Sequence, residues 1–308
     1  MPFISAEQVC SLVKGIESPT LMFQGGQKCV FRASYQDQPI ALKFVFLQPS
    51  PDFGLADTAY LEDDPENQPT NLRRAIREMS IMAECESPYL SKLGLLPPQV
   101  VQANHLDLLC YSETWIEGES LTQVLAHDHR LPFAHVVQMA DEIAIAATEL
   151  SSHKIVHRDI KPSNIMRRAQ GHHWVLIDMG ISLDLDGTSI TGGGRSPGSP
   201  PYSSPEQLNP ARKDEIDARS DMFSLGVVLY ESSTGTYPFT PHGAFPASLE
   251  QRIQNDVPMS PRTLVDDYPQ ALEIMVKRLL SKEPFGRYRD WQSVREALAA
   301  IGPQGDAV

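Results

Sequence analysis

Cysteine is scarce in this 308-residue sequence: Cys10, Cys29, Cys85 and Cys110 are the only four, and no two form a C-x-x-C pair. That spacing gives no zinc ribbon and no disulfide framework, so reduced thiols are expected. Positive charge is short as well. Lys and Arg number 26 against 39 Asp and Glu, for a net charge of −13. Such a chain lacks the basic footprint of a general nucleic-acid or anionic-membrane binder. No stretch approaches the ~18 uninterrupted apolar residues of a membrane helix. The start, Met1-Pro2-Phe3-Ile4-Ser5, has no basic run leading into an apolar one, which a secretory signal would need. The expectation is a soluble, cytoplasmic protein with no nucleic-acid and no membrane partner. The nine histidines offer no metal-ligand spacing, since adjacent His172 and His173 read as turn residues.

What the chain has in excess is proline, 25 residues, placed mostly between elements. Its length suits one large domain or two intimate lobes, at roughly 100–200 residues per domain. Residues 29–35 and 40–47 read as strands joined by a Gln-Asp-Gln-Pro turn, and 99–103 with 106–116 as a second hairpin turning at Asn104-His105. Leu72, Ile76, Met79 and Met82 recur at helical spacing within 72–85. Later segments at 133–152, 219–234, 269–281 and 290–301 are helical. Residues 48–71 carry Pro49, Pro51, Pro65 and Pro69 among six acidic residues and no Lys or Arg, the composition of an exposed loop.

The chemistry concentrates in His157-Arg158-Asp159-Ile160-Lys161-Pro162-Ser163-Asn164, followed by a strand, Trp174-Val175-Leu176-Ile177, and then Asp178-Met179-Gly180. Phosphoryl transfer needs a group to orient a hydroxyl, oxygen ligands for Mg²⁺ and positive charge near the phosphates. Asp159 suits the first task, Asn164 and Asp178 the second, and Lys161 the third. A lone His-x-Asp means little, but this assembly is specific. It resembles the eukaryotic-like Ser/Thr protein kinases, including compact bacterial ones, over roughly residues 20–300.

The resemblance implies an α+β, bilobal protein-kinase-like fold. An antiparallel β-sheet N-lobe with one main helix would occupy 20–116, and a mostly α-helical C-lobe 117–301, with ATP between them. Residues 1–19 then form an N-terminal extension, 48–71 an insertion, and 302–308 a tail. It further implies ATP and Mg²⁺ (or Mn²⁺) as cofactors, with Asn164 and Asp178 as metal ligands. Ile40-Ala41-Leu42-Lys43 resembles the family's phosphate-lysine strand. Glu78, in Arg77-Glu78-Met79-Ser80-Ile81-Met82, is the implied partner of Lys43, and Glu84 lies on a less compatible helix face. Asp159, Lys161, Lys43 and Glu78 make the implied catalytic set. Gly25, Gly26, Val30, Ala41, Thr114 and Ile116 would line the nucleotide. Lys161 favours Ser/Thr over tyrosine substrates and over small-molecule kinases.

Downstream, Gly198-Ser199-Pro200-Pro201-Tyr202-Ser203-Ser204-Pro205-Glu206 resembles the family's substrate loop. Glu206 is expected to pair with Arg287, and Asp221 to anchor the catalytic loop. Arg158 before the catalytic Asp suggests activation by a phosphate on Thr188, Ser189, Thr191 or Ser196, with self-association for trans-autophosphorylation. Two departures stand out. Only Gly25 keeps its place in the glycine-rich loop, with Lys28 where a glycine is usual; it either reaches the phosphates or points to solvent. Glu113 falls at the back-pocket position before the linker Thr114-Trp115-Ile116. These departures motivate a rival reading, a pseudokinase scaffold. Cys29 reads as a small buried strand residue rather than a redox site.

Overall fold

The computed structural model describes residues 4–25, 28–47, 76, 79–80, 82–104, 106–178, 201–241 and 247–301. The 48–71 stretch, Gly26, Glu78, Met179 and the activation-segment acceptors lie outside the described residues. The chain divides into two compact units. Among the described residues, one holds those up to Cys85 together with Ser91–Ile116, and the other holds Glu86–Leu90 and Glu117 onward.

The first unit is built on a five-stranded antiparallel sheet of order β1-β2-β3-β5-β4. Its strands are β1 (Ile16–Gln24), β2 (Lys28–Tyr35), β3 (Gln38–Phe46), β4 (Gln99–Ala103) and β5 (Leu106–Thr114). Direct cross-strand partners share a face, and side chains alternate along each strand. The rows Cys29–Phe44–Cys110 and Ala33–Ile40–Thr114 follow from the register, as does Phe31 opposite Leu42. Cys29, Phe31, Ala33, Ile40, Leu42, Phe44 and Cys110 fill one core cluster. Burial pushes the Cys29 thiol up to about 11, which leaves it inert as a nucleophile.

Within the stretch expected as an N-terminal extension, Ile4, Val9, Val13 and Ile16 pack into this core. Helix α1 (Ala6–Leu12) is closed by a capping box between Ser5 and Gln8. Ile4 and Val9 flank that cap as a hydrophobic staple, and both are fully buried with Val13 and Ile16 in the same cluster. The sequence Ile4-Ser5-Ala6-Glu7-Gln8-Val9 carries this signal on a helix too short to show periodicity. Strand β1 likewise has no alternation in its sequence. It is an edge strand exposed along most of its length, and its register shifts between Glu17 and Thr20, around Pro19. Pro19 lacks an N–H and breaks the alternation that marks a half-buried strand.

The second unit is mostly helical, with α2 (Leu121–Asp128), α3 (Phe133–Ser152), α4 (Ala218–Thr234), α5 (Leu249–Asn255), α6 (Gln270–Leu279) and α7 (Trp291–Ile301). Helix α3 matches the expected 133–152, and its apolar stripe from Val136 to Leu150 is buried. Helix α4 is buried nearly all round, from Ser220 to Thr234 apart from Glu231, so it forms the centre of this unit. A small sheet, β6 (Gly118–Ser120), β7 (Ile165–Arg168) and β8 (Trp174–Leu176), completes it in that order.

Candidate active site

In the helical unit, the β7–β8 hairpin decides which residues meet. Ile165 pairs with Leu176, and one residue further the Ile177 N–H donates to the Asn164 carbonyl at 2.9 Å. The loop entering β7 and the residue leaving β8 are thereby held side by side. This is why the fourteen-residue spacing between Asn164 and Asp178 carries information: the hairpin consumes the intervening chain. Both Arg158 and Asp178 adopt left-handed backbone, at φ 65° and φ 64°. Non-glycine residues there are strained and need surrounding structure to hold them.

That support comes from buried groups. Asp221, in the first turn of α4, accepts the His157 and Arg158 N–H groups on its two oxygens, each at 2.7 Å. Burial pushes its carboxyl up to about 7, against the pull of these two donors. Gln207 Nε2 adds a hydrogen bond to the Arg158 carbonyl at 3.0 Å. The His157 ring is buried, and burial drives its pKa down. The Asp159 N–H donates to Nδ1 at 3.3 Å, so the proton sits on Nε2 and is donated to the Ile177 carbonyl at 3.2 Å. A neutral imidazole thus ties the 157–164 loop to the end of β8.

The Asp159 carboxylate is the focus of the site. Its Oδ2 accepts from Lys161 Nζ at 2.7 Å and from Asn164 Nδ2 at 2.9 Å. Asn164 Nδ2 also donates to the Asp159 carbonyl at 2.9 Å. Among the described residues no hydrogen bond reaches Oδ1, which stays open to accept from a hydroxyl. Because Asn164 spends its amide nitrogen on Asp159 and is itself buried, its carbonyl oxygen is left for another ligand. With the Asp178 carboxylate this makes a pair of hard oxygen donors, the kind magnesium takes. The donor set therefore fits the metal.

The supporting pair expected from sequence is present. Glu206 and Arg287 form a fully buried bidentate ion pair, at 2.6 and 2.9 Å. Tyr202 donates to Glu231 at 2.6 Å, fixing the chain just before Glu206.

In the sheet unit, Lys43 stands between Val30 and Tyr111, its direct partners on β2 and β5. The next row is Arg32–Ala41–Glu113, so Val30, Ala41 and Lys43 share the face opposite the Phe31–Phe44 core. Lys43 forms a buried ion pair with Glu113, a contact that sequence reasoning did not find. Register is what creates it, and register cannot be read from composition. Between β1 and β2 the Gly25 N–H donates to the Lys28 carbonyl at 2.9 Å. Lys28 Nζ lies 6.0 Å from the Phe23 ring centroid. At the end of β5 the Thr114 N–H is committed to the Lys92 carbonyl at 2.9 Å, whereas the buried Ile116 has no backbone partner among the described residues.

Comparison with known proteins converges on one family. The family described as Protein kinase domain matches residues 59–298. That match begins after Lys43, so the first strands stand on the structure rather than on it. A probable serine/threonine-protein kinase of Clostridium acetobutylicum is 32% identical over 187 residues, covering 61% of this chain and 28% of that protein. Serine/threonine-protein kinase PknB of Mycobacterium leprae is 33% identical over 188 residues, covering 61% and 29%. The chain thus spans about a third of the length of the curated relatives it matches. Among solved structures, the PknI kinase domain of Mycobacterium tuberculosis aligns with a TM-score of 0.63 at 18% identity, covering 94% of this chain and 97% of that one. Rad53 residues 1–466 in complex with AMP-PNP aligns with a TM-score of 0.66 at 18% identity, covering 92% and 64%. These two likenesses concern the fold. Among the described residues no helix is long and apolar enough to cross a membrane.

Proposed function

The chain belongs to the protein kinase domain family, and from that premise we propose that it transfers the γ-phosphoryl group of ATP to serine or threonine hydroxyls of protein substrates. The observation that carries the reading is the Asp159 carboxylate, with Oδ2 locked by Lys161 and Asn164 and Oδ1 open. In the proposed step the substrate hydroxyl oxygen attacks the γ-phosphorus and the bond from that phosphorus to the β,γ-bridging oxygen breaks. ADP leaves, and the hydroxyl proton passes to Asp159. Lys161, within hydrogen-bond distance of the same carboxylate, offsets charge on the transferred group. Lys43 positions the phosphates, and Val30 and Ala41 offer the apolar face for the base. Asn164 and Asp178 would hold Mg²⁺, which supplies charge neutralisation at the phosphates when bound. The Ile116 N–H suits an acceptor on adenine, and Gly25 and Gly26 permit close backbone approach. Glu78 remains a proposed second carboxylate for Lys43.

We further propose self-phosphorylation of the activation segment, supported by the exposed Arg158 side chain beside Asp159. Intact-mass measurement after incubation with Mg-ATP tests the whole reading. Steps of about 80 Da in phosphate-stripped wild type, absent in Asp159→Ala, are expected. Clear ATP binding with no transfer to the chain or to generic protein substrates would overturn it in favour of a nucleotide-binding scaffold.

A further inference from the structure

Glu113 is a buried carboxylate that the proposed reaction leaves without a task. Its side chain and that of Lys43 are 3% and 5% exposed, and the two form an ion pair. They occupy adjacent strands in one continuous ladder. Ala41 faces Glu113 and Lys43 faces Tyr111, so Glu113 is the diagonal neighbour of Lys43 on the face that also carries Val30 and Ala41. The Tyr111 ring lies 5.8 Å from the ammonium and adds a cation–π contact.

The backbone around Glu113 is held from both sides. β3 pairs along one edge. On the other, Leu93 bridges to Glu113, the Gly94 N–H donates to Ser112 at 2.8 Å, and the Thr114 N–H donates to Lys92 at 2.9 Å. Ser112 Oγ contacts the Leu96 N–H and carbonyl at 3.1 and 3.2 Å, on the opposite face. A Cβ on Gly94 would collide with that hydroxyl, so the 92–96 segment is pressed directly against β5. These contacts fix the backbone from which the Glu113 side chain departs.

A buried ammonium is costly unless it is paired. Here the counter-charge comes from the same sheet. We propose that Glu113 is a positioning residue for nucleotide binding: from within the sheet it holds Lys43 charged and aimed before nucleotide arrives, whether or not Glu78 also reaches it. A Lys head carries three donors, so pairing with Glu113 and contact with phosphate oxygens are compatible in kind. The inference rests on the kinase reading, because it presumes that Lys43 meets phosphates.

The test is titration of a fluorescent, non-hydrolysable ATP analogue with Mg²⁺, alongside kcat and KM for ATP and a thermal melt of each variant. Glu113→Gln should weaken analogue binding and raise KM about tenfold, with a smaller change in kcat, as expected for the loss of one charge-assisted hydrogen bond. Glu113→Asp, which keeps the charge on a shorter arm, should recover part of the loss. In a Lys43→Met background Glu113→Gln should add no further loss, because the carboxylate acts through the lysine. Binding by Glu113→Gln as tight as wild type, or tighter, would overturn the proposal; the tighter case would mean that Glu113 competes with the phosphates. An equal loss in both backgrounds would also overturn it, by assigning the effect to sheet stability. If Glu113→Gln does not fold, Glu113→Asp decides: weakened binding supports the proposal and unaltered binding refutes it. A wild type that binds the analogue but transfers no phosphate would bring down the kinase reading, with the binding comparison still legible.

Discussion

Arg287 and Glu206 meet through two parallel hydrogen bonds at 2.6 and 2.9 Å, with both side chains wholly excluded from solvent. The remaining guanidinium donors go to the Arg219, Ser281 and Lys282 carbonyls at 2.8, 2.9 and 3.1 Å, and Ser220 Oγ donates to Glu206 at 2.7 Å. Every N–H of the fork is therefore used. Removing one partner strands a buried charge, which typically costs ~3–5 kcal/mol. Arg287→Ala should lower the stability of the chain by that order in urea unfolding, and Arg287→Lys should fail to restore it because an ammonium cannot reproduce the fork.

The same pair sets an acid response. Burial alone would raise the Glu206 carboxyl, but the hydrogen bonds and charge of Arg287 outweigh it and hold the group below its ordinary value of 4.5. A folded-state pKa below the unfolded one gives stability that is complete above about pH 4.5 and is lost as pH falls through the folded value. Thermal melts between pH 7 and pH 3 should show this loss in wild type. Glu206→Gln should start less stable at pH 7 and fall less steeply over the same range; parallel slopes would refute the assignment.

In the proposed reaction Asp221 acts at one remove, by holding the His157 and Arg158 N–H groups. In Asp221→Asn one of the two oxygens accepting the His157 and Arg158 N–H groups becomes an NH₂, placing donor against donor. Leaving a buried donor unsatisfied costs ~1–3 kcal/mol. The variant should fold, melt earlier, and lose kcat more than affinity for ATP in steady-state assays, since Asp221 orients the Asp159 loop and not Lys43.

Asp159→Asn should separate chemistry from folding. The side chain is about a quarter exposed, so its charge contributes little to the core, whereas proton acceptance is typically worth ~10²–10⁴-fold in rate. Single-turnover kinetics should show a kcat loss in that range, with a melting temperature close to wild type.

Gly226 marks where α4 and α6 touch. A Cβ there would lie 2.8 Å from the Leu279 Cβ, in backbone-adjacent atoms that cannot rotate aside. Gly226→Ala should therefore destabilise by ~1–3 kcal/mol in chemical denaturation, even though alanine is the better helix former.

Much of this protein is legible in one dimension because its chemistry is local. His157 to Asn164 and Asp178 flank one hairpin, so their spacing carries the signal of their meeting. Helix α3 shows itself through an unbroken stripe from Val136 to Leu150. Glu206 and Arg287 were readable through resemblance, although nothing in their separation predicts contact. α1 and β1 carry no periodic signal for opposite reasons: the helix is only about two turns long, and the strand has an exposed, proline-interrupted edge without alternation.

Sequence by itself carried the family resemblance, through the spacing of His157 to Asn164 and Asp178, and the helical register, because both depend on residue type and on short-range pattern that survive without a fold. Only the tertiary structure shows that Glu113 stands beside Lys43. That placement depends on the pairing of β3 with β5, where a shift of one residue would turn Glu113 to the opposite face. Strand register is set by the packing of the whole sheet, and no local stretch of the chain contains it.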